Sequence, residues 1–431
     1  MGPLELWGGL ECSVVRLGNT WRDQVRETGH HDRDGDLQLI AELGIRTLRY
    51  PVLWERCAPN QPGACGWEWH DTRLEAIRRL GMQPIVGLMH HGAGPNGTHL
   101  LDPGLAEGLA RHAALAAERY PQVTWWTPVN EPLTTARFSC LYGHWHPHLY
   151  DEKAFLNAVV NQCHAALLAM RAIRARIAGP RFVHTEDVGR TFSTRPLRMQ
   201  AIYENDRRWL SLDLLCGKLD RAHPWRGHLE QAGVDPWVLD ELATGEGCPD
   251  LIGVNHYVTS DRFLDHRHDL YQPHPPDRDP EPSYVDTEAV RVILPQGTTG
   301  WLPRLREVWR RYDMPMAITE AHLGCKDPGE QLRWLMQAWD AAKLLRSEGA
   351  DIRAVTAWAL FGLVDWDTLL RQHRSNYEAG AFDARHTPPS PTPLADAVRD
   401  LAQTGRFTHA ALQEPGWWQR DDRVLPVARR A

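Results

Sequence analysis

Short apolar runs of strand character alternate with longer stretches of helical period along the whole chain. The runs at 4–8, 46–50, 83–89, 123–129, 181–185, 251–257, 316–319 and 354–360 predict eight strands. Apolar residues recur at helical spacing over 34–43, 71–80, 105–120 and 154–177, which predicts helices between strands. Gly44, Gly81, Pro121 and Gly179 stand where these helices must stop, because glycine leaves and proline cannot continue helical geometry. Each helix ends shortly before the next strand. The pattern is a βα unit repeated eight times.

Eight such units spread over about 400 residues predict an α/β fold, a closed (β/α)8 TIM barrel with enlarged βα loops. An open doubly wound sheet fits less well, since no Gly-x-Gly-x-x-Gly follows the first strand. The expected organisation is one barrel over residues 1–405 and a C-terminal tail over 406–431, where neither period persists. The stretch 261–284, rich in His, Asp, Arg and Pro, is too long for a plain connection and reads as a lid or as mobile filler. A barrel also places its active site at the C-terminal ends of the strands. The polar residues there are Glu11, Arg49, His90, His91, Asn130, Glu131, Glu186, Asp187, Asn255, His256, Tyr257 and Glu320. Trp358 ends the eighth strand, and Asp365 and Trp366 lie in the loop beyond it.

Composition narrows the function classes. Against 55 Asp and Glu stand 48 Lys and Arg in 431 residues, a formal net charge of −7 with the signs interspersed. No basic field is present to attract nucleic acid or an anionic membrane surface. The longest apolar runs fall far short of the roughly 20 residues a spanning helix needs. Residues 1–10 lack a basic, then apolar, leader pattern, which places the protein in the cytoplasm. The eight cysteines contain no C-x-x-C pair and read as buried thiols rather than zinc ligands or disulfides. Nineteen tryptophans suit either stacking on sugar rings or a Trp-rich core.

The strongest local signals are Thr127-Pro128-Val129-Asn130-Glu131-Pro132 and Ile318-Thr319-Glu320, each a strand ending in glutamate. Strands four and seven would bring these carboxylates together across the barrel mouth, and retaining glycosidases hold such a pair about 5–5.5 Å apart. Either glutamate alone would read as a helix cap or an arginine partner. His144, His146 and His148 alternate on one segment and invite a metal reading, which is set aside because that segment resembles the loop following Asn-Glu-Pro in the family named next.

At these motifs the chain resembles glycoside hydrolase family 1 and its relatives among the (β/α)8 retaining glycosidases. The fourth strand of that family ends in Asn-Glu-Pro and the seventh in Thr-Glu. Leu6-Trp7-Gly8, Arg49-Tyr50-Pro51-Val52-Leu53-Trp54, Leu88-Met89-His90, Gly253-Val254-Asn255-His256-Tyr257 and Trp358-Ala359-Leu360 resemble further family motifs in the same order. The resemblance implies Glu131 as acid/base and Glu320 as nucleophile, with Arg49 and Tyr257 holding the nucleophile. It implies that Asn130 bonds the sugar 2-hydroxyl and that His90 and Trp358 line the subsite of the non-reducing sugar. Asn255, Asp365 and Trp366 complete the implied substrate-binding set. The expected partner is a small carbohydrate or glycoside, and two-carboxylate hydrolysis requires no metal and no organic cofactor.

Three departures accompany the likeness. The glutamine that follows the first strand in the family is missing, the region here reading Glu11-Cys12-Ser13-Val14-Val15-Arg16. Beyond the eighth strand Asp365 stands for a longer glutamate, and Thr319-Glu320-Ala321-His322 replaces Thr-Glu-Asn-Gly. The bond-breaking residues are kept while sugar recognition is altered. The tail also resembles bacterial chains in which such a barrel precedes a nucleotide-sugar reductase domain. A second reading is therefore a non-hydrolytic sugar-binding barrel partnered with such a reductase, and the intact carboxylate pair favours hydrolysis over it.

Overall fold

Eight parallel strands close a barrel in the computed structural model, which describes residues 2–60, 65–268, 271 and 284–425. They are β1 (Glu5–Gly9), β2 (Thr47–Pro51), β3 (Gln83–Gly87), β4 (Trp125–Thr127), β5 (Arg181–Asp187), β6 (Leu251–Asn255), β7 (Met316–Ala321) and β8 (Ile352–Ala357). Each pairs with its neighbours in sequence, and β1 closes the ring on β8 from Glu5 opposite Ala354 to Gly8 opposite Ala357. A small apolar cluster combines Trp7, Ile85, Val183 and Ala317 with Leu251 and Ala354. The first four come from β1, β3, β5 and β7, the layering by alternate strands that fills a closed barrel with side chains.

The outer ring includes α1 (Asp36–Glu42), α2 (Glu68–Arg79), α3 (Leu105–Arg119), α4 (Glu152–Arg174), α5 (Leu210–Leu215), α6 (Trp301–Tyr312), α7 (Pro328–Ser347) and α8 (Pro393–Thr404). Their starts are chemically marked. Asp151 accepts the Ala154 N–H at 2.7 Å to open α4, and Asp327 accepts the Gly329 N–H at 2.8 Å to open α7, with Pro328 at the first helical position. The buried side of α4 carries Phe155, Val159, Cys163, Leu167 and Met170, spaced to face the main core.

All eight predicted strands occur, with shifted ends. At β4, predicted over 123–129 and observed over Trp125–Thr127, both ends draw in by two residues. Pro128 has no N–H for the ladder, so regular pairing ends before it. Isolated bridges from His90 to Asn130 and from Asn130 to Thr185 carry the pairing onward, and Glu131 follows in left-handed geometry at φ 48°.

The loop expected to be irregular over 261–284 is partly ordered. Arg262–Asp265 forms the middle strand of a three-stranded sheet, parallel to Thr191–Ser193 and antiparallel to Val285–Glu288. Residues 269–270 and 272–283 of that stretch lie outside the described residues. A hairpin of Val14–Leu17 and Thr20–Asp23 after β1 was not foreseen either.

Beyond Gly405 the chain packs on α7. The buried Trp418 donates its indole N–H to Gln337 Oε1 at 3.0 Å, and the Trp417 backbone N–H meets Glu330 Oε2 at 3.0 Å. Among the described residues no helix is long and apolar enough to cross a membrane. All eight cysteines are free thiols.

Candidate active site

The C-terminal rim gathers one connected polar network. Arg49, at the middle of β2, donates from Nη1 to Glu320 Oε1 at 2.8 Å and to the Thr319 carbonyl at 2.7 Å. Its Nη2 donates to Asn130 Oδ1 at 2.8 Å. Tyr257, two residues beyond β6, donates its hydroxyl to the other oxygen of Glu320. Burial, and then the charge of Glu320, holds that phenol well above its usual range, so it remains a donor. Glu320 therefore has a cation on one oxygen and a phenol on the other. It is only 2% exposed.

The register of β7 shifts between Ile318 and Glu320 relative to β6. Such irregularities re-aim side chains at barrel rims. Thr319 Oγ1 donates to Asn255 Oδ1 at 2.6 Å, which fixes the Asn255 amide so that Nδ2 donates to Glu131 Oε1 at 2.6 Å. Glu131 thus sits one asparagine away from the strand that bears Glu320.

Glu131 lives in the opposite electrostatic setting. Burial first, and then the charges of Glu320, Asp187 and Glu186, push its carboxyl well above the usual range, and the Asn255 bond offsets only part of this. The nearest imidazole is His91, whose Nε2 lies 3.8 Å from Glu131 Oε2. Burial and then Arg49 push His91 down to about 3, so it stands neutral and supplies no counter-charge. The two carboxyls thus differ in their partners: Glu320 faces a guanidinium and a phenol, while Glu131 is buried with a raised carboxyl and one amide donor.

Asn130 is equally constrained. Its Oδ1 accepts from Arg49 and, at 2.7 Å, from Thr185 Oγ1, so Nδ2 faces His90 Nε2 at 3.2 Å. Burial, followed by His91 and Arg49, keeps His90 neutral, and its other nitrogen meets Cys12 Sγ at 3.4 Å. The ring stacks on Trp358 at a centroid distance of 5.7 Å, and the Arg49 guanidinium lies 4.7 Å from the Trp358 ring. Trp366 packs against His91, the imidazole that faces Glu131, at 5.7 Å and against Trp145 at 6.1 Å.

Asp365 joins none of this. It is fully buried, and its two oxygens accept the backbone N–H groups of Arg374, Ser375 and Asn376 and a guanidinium bond from Arg22 at 3.0 Å. Burial opposes the charge, but these donors outweigh it and hold the carboxyl below its ordinary range. Its geometry serves its own loop.

Glu186, also a strand-end candidate, accepts the N–H groups of Leu133 and Thr134 at 2.9 and 3.3 Å and the hydroxyl of Ser211 at 2.7 Å. It therefore fixes the turn of chain that carries Glu131. Sequence reasoning gave Thr319 no role beyond its place beside Glu320, and did not single out Thr185 or Arg22. Thr319 and Thr185 do lie at strand ends, a position that could have flagged them.

The alternating histidines also serve a loop. His148 accepts the Gly18 N–H at 3.0 Å and bonds the Gly143 carbonyl at 2.9 Å. Among the described residues no group of three His, Cys, Asp or Glu side chains is arranged to hold a metal ion.

Comparison with known proteins adds a family. A model described as glycosyl hydrolase family 1 matches residues 19–374. The aryl-phospho-beta-D-glucosidase BglC of Bacillus subtilis (strain 168) is 23% identical over 390 residues, covering 78% of this chain and 78% of that one. Beta-glucosidase 47 of Arabidopsis thaliana is 23% identical over 379 residues, covering 78% of this chain and 69% of that one. Among solved structures, a beta-glucosidase from Thermotoga maritima in complex with cyclophellitol superposes with a TM-score of 0.74 at 16% identity, over 95% of this chain and 99% of that one.

Proposed function

The chain belongs to glycosyl hydrolase family 1 and is a glycoside hydrolase, and from that premise we propose that it cleaves a β-linked glycoside with retention, through a glycosyl-enzyme on Glu320. The observation that carries this reading is the asymmetry of the two carboxyls. Arg49 and Tyr257 both serve Glu320, while Glu131 is buried with no cation paired to it among the described residues. In the first step a Glu320 oxygen attacks the anomeric carbon as Glu131 gives its proton to the departing oxygen. In the second, Glu131 takes a proton from water, which attacks the same carbon and frees Glu320. Asn130 has one Nδ2 hydrogen left beyond His90, and that hydrogen would meet the sugar 2-hydroxyl, a bond that strengthens toward the transition state. The substrate is a small glycoside in the cytoplasm.

Retention is tested directly. Proton NMR during hydrolysis of an activated aryl β-glycoside should show the β-anomer of the free sugar first, with the α-anomer appearing later by mutarotation. An α-anomer formed first would overturn the double displacement.

Specificity is expected to lie away from plain glucosides. The first-strand glutamine is absent, and Asp365 is engaged by four donors of its own surroundings. Glucose hydroxyls that such residues would serve enter the site unpaired, at a cost of about 1–3 kcal/mol each. Steady-state kinetics on aryl β-glucoside, β-galactoside, β-fucoside and β-xyloside should give a low kcat/KM on the glucoside. A glucoside turned over as efficiently as the best of the four would contradict this.

A further inference from the structure

Glu131 has one oxygen to spare. Its Oε1 accepts the Asn255 amide at 2.6 Å, and among the described residues Oε2 accepts no hydrogen bond, which leaves Oε2 to carry and exchange the proton. The side chain it faces is His91, whose Nε2 stands 3.8 Å away, too far for a direct bond. An oxygen atom seated about 2.8 Å from each would bridge the two. The imidazole is firmly held. Nδ1 bonds Thr135 Oγ1 at 2.9 Å, and the Thr135 N–H donates to the Glu131 carbonyl at 2.8 Å, so one turn of chain ties the ring to the acid. The rings of His90, Trp145 and Trp366 enclose it at centroid distances of 4.8, 5.1 and 5.7 Å. The backbone of His91 is left-handed at φ 55°, a strained state that persists only where its surroundings over-determine it. Here Glu55 does so: its Oε1 accepts the Gly94 N–H at 2.9 Å and lies so close to the chain that a Cβ added at Gly92 would meet it at 1.9 Å.

We propose that His91 is a catalytic residue of the second step, its Nε2 and Glu131 Oε2 holding the hydrolytic water between them. The inference rests on the double displacement through Glu320. With its Nδ1–H donated to Thr135, the ring carries its lone pair on Nε2 and accepts one hydrogen of the water there. Glu131, as the carboxylate, accepts the other on Oε2. As the water oxygen bonds the anomeric carbon, the bond from that carbon to Glu320 breaks and its electron pair returns to the Glu320 carboxylate. The proton facing Oε2 passes to Glu131, and the proton facing Nε2 stays on the new sugar hydroxyl. Burial and then Arg49 keep the imidazole neutral, so the lone pair is not lost to a proton. An alcohol brings a single hydrogen, and Glu131 takes it. Only water uses both acceptors, so His91 favours water over alcohols as the group that discharges the glycosyl-enzyme.

The test separates the two steps. Dinitrophenyl β-glycosides of glucose, galactose, fucose and xylose serve as probes, because their phenolate departs unaided and release of Glu320 then limits turnover. His91→Asn keeps an amide at the place of Nδ1 for Thr135, tolerates the left-handed backbone, and cannot reach the place of Nε2. On the best probe it should lower kcat about 10- to 100-fold, the worth of one hydrogen bond to the reacting water. It should leave kcat/KM, which reports the first step, within about twofold of the wild type. With methanol present, the ratio of methyl glycoside to free sugar should rise about 10- to 100-fold as well, a shift that loss of packing alone would not produce. His91→Gln, whose amide oxygen does reach the place of Nε2, should return both readouts to within about fivefold of the wild type and guards against a folding defect in the first variant. An equal fall of kcat and kcat/KM, or an unchanged methanol ratio, overturns the inference, and the double displacement then still stands on the β-anomer formed first. A wild type that forms the α-anomer first, or turns over none of the four probes, overturns the inference together with the reading on which it rests.

Discussion

Glu320→Gly is expected to lose hydrolysis by a factor on the order of 10,000 or more, because no glycosyl-enzyme can form without the nucleophile. The same substitution leaves a space into which the Arg49 guanidinium and the Tyr257 hydroxyl donate. Both are donors stripped of their acceptor, and a buried cation without its partner costs about 3–5 kcal/mol. A small anion such as azide or formate therefore has two reasons to enter. It restores the electrostatic balance, raising the thermal midpoint of the variant, and it attacks the anomeric carbon from the face that Glu320 occupied. A single displacement results, so the rescued product from an activated β-glycoside has the α configuration. Rates, thermal midpoints and product anomers measured with and without azide check each part. A variant that keeps near wild-type turnover without added anion removes Glu320 from the nucleophile's place.

The barrel was legible because a strand buried on both faces must be apolar throughout, and such runs have no other use at this length. Their C-terminal ends then pointed to Glu131 and Glu320, since a parallel barrel sends every strand end to the same rim. What the sequence does not carry is which strand-end carboxyl is free. Glu186 and Glu131 look alike in one dimension, each following an apolar run. Only the fold shows that Glu186 meets the N–H groups of Leu133 and Thr134, some fifty residues away, while Glu131 meets a single amide. Asp365 is the same case in reverse. Its likeness to a sugar-binding position was visible, but its guanidinium partner Arg22 is 343 residues distant in sequence, and its backbone donors lie in a loop without periodicity. The three-stranded sheet around Arg262–Asp265 escaped notice because a four-residue strand with two charged ends carries too little alternation to register.

Glu131→Ala should harm substrates in proportion to how poorly their leaving groups depart. Protonation of the departing oxygen is worth about 100- to 10,000-fold where the leaving alcohol is weakly acidic, and little where a stable phenolate departs unaided. A series of aryl glycosides with phenols of graded acidity should therefore show a steep dependence of kcat/KM on leaving-group pKa in the variant and a shallow one in the wild type. The pH profile follows from the same residue. Burial and the charge of Glu320 raise the Glu131 carboxyl well above the carboxylate range, and the reaction needs its protonated form. Activity of the wild type thus falls as pH rises through that raised pKa, and this alkaline limb should vanish in the variant. Once Glu320 is esterified its charge no longer raises Glu131, which then ionises more easily and serves as base toward water. Without it, the glycosyl-enzyme from an activated substrate should accumulate and appear in intact-protein mass spectra as a glycosyl adduct on Glu320. Azide, which needs no base, should discharge the adduct with net retention, the opposite stereochemistry to that expected for Glu320→Gly. An equal loss across all leaving groups, or rescue with inversion, would place the acid elsewhere than Glu131.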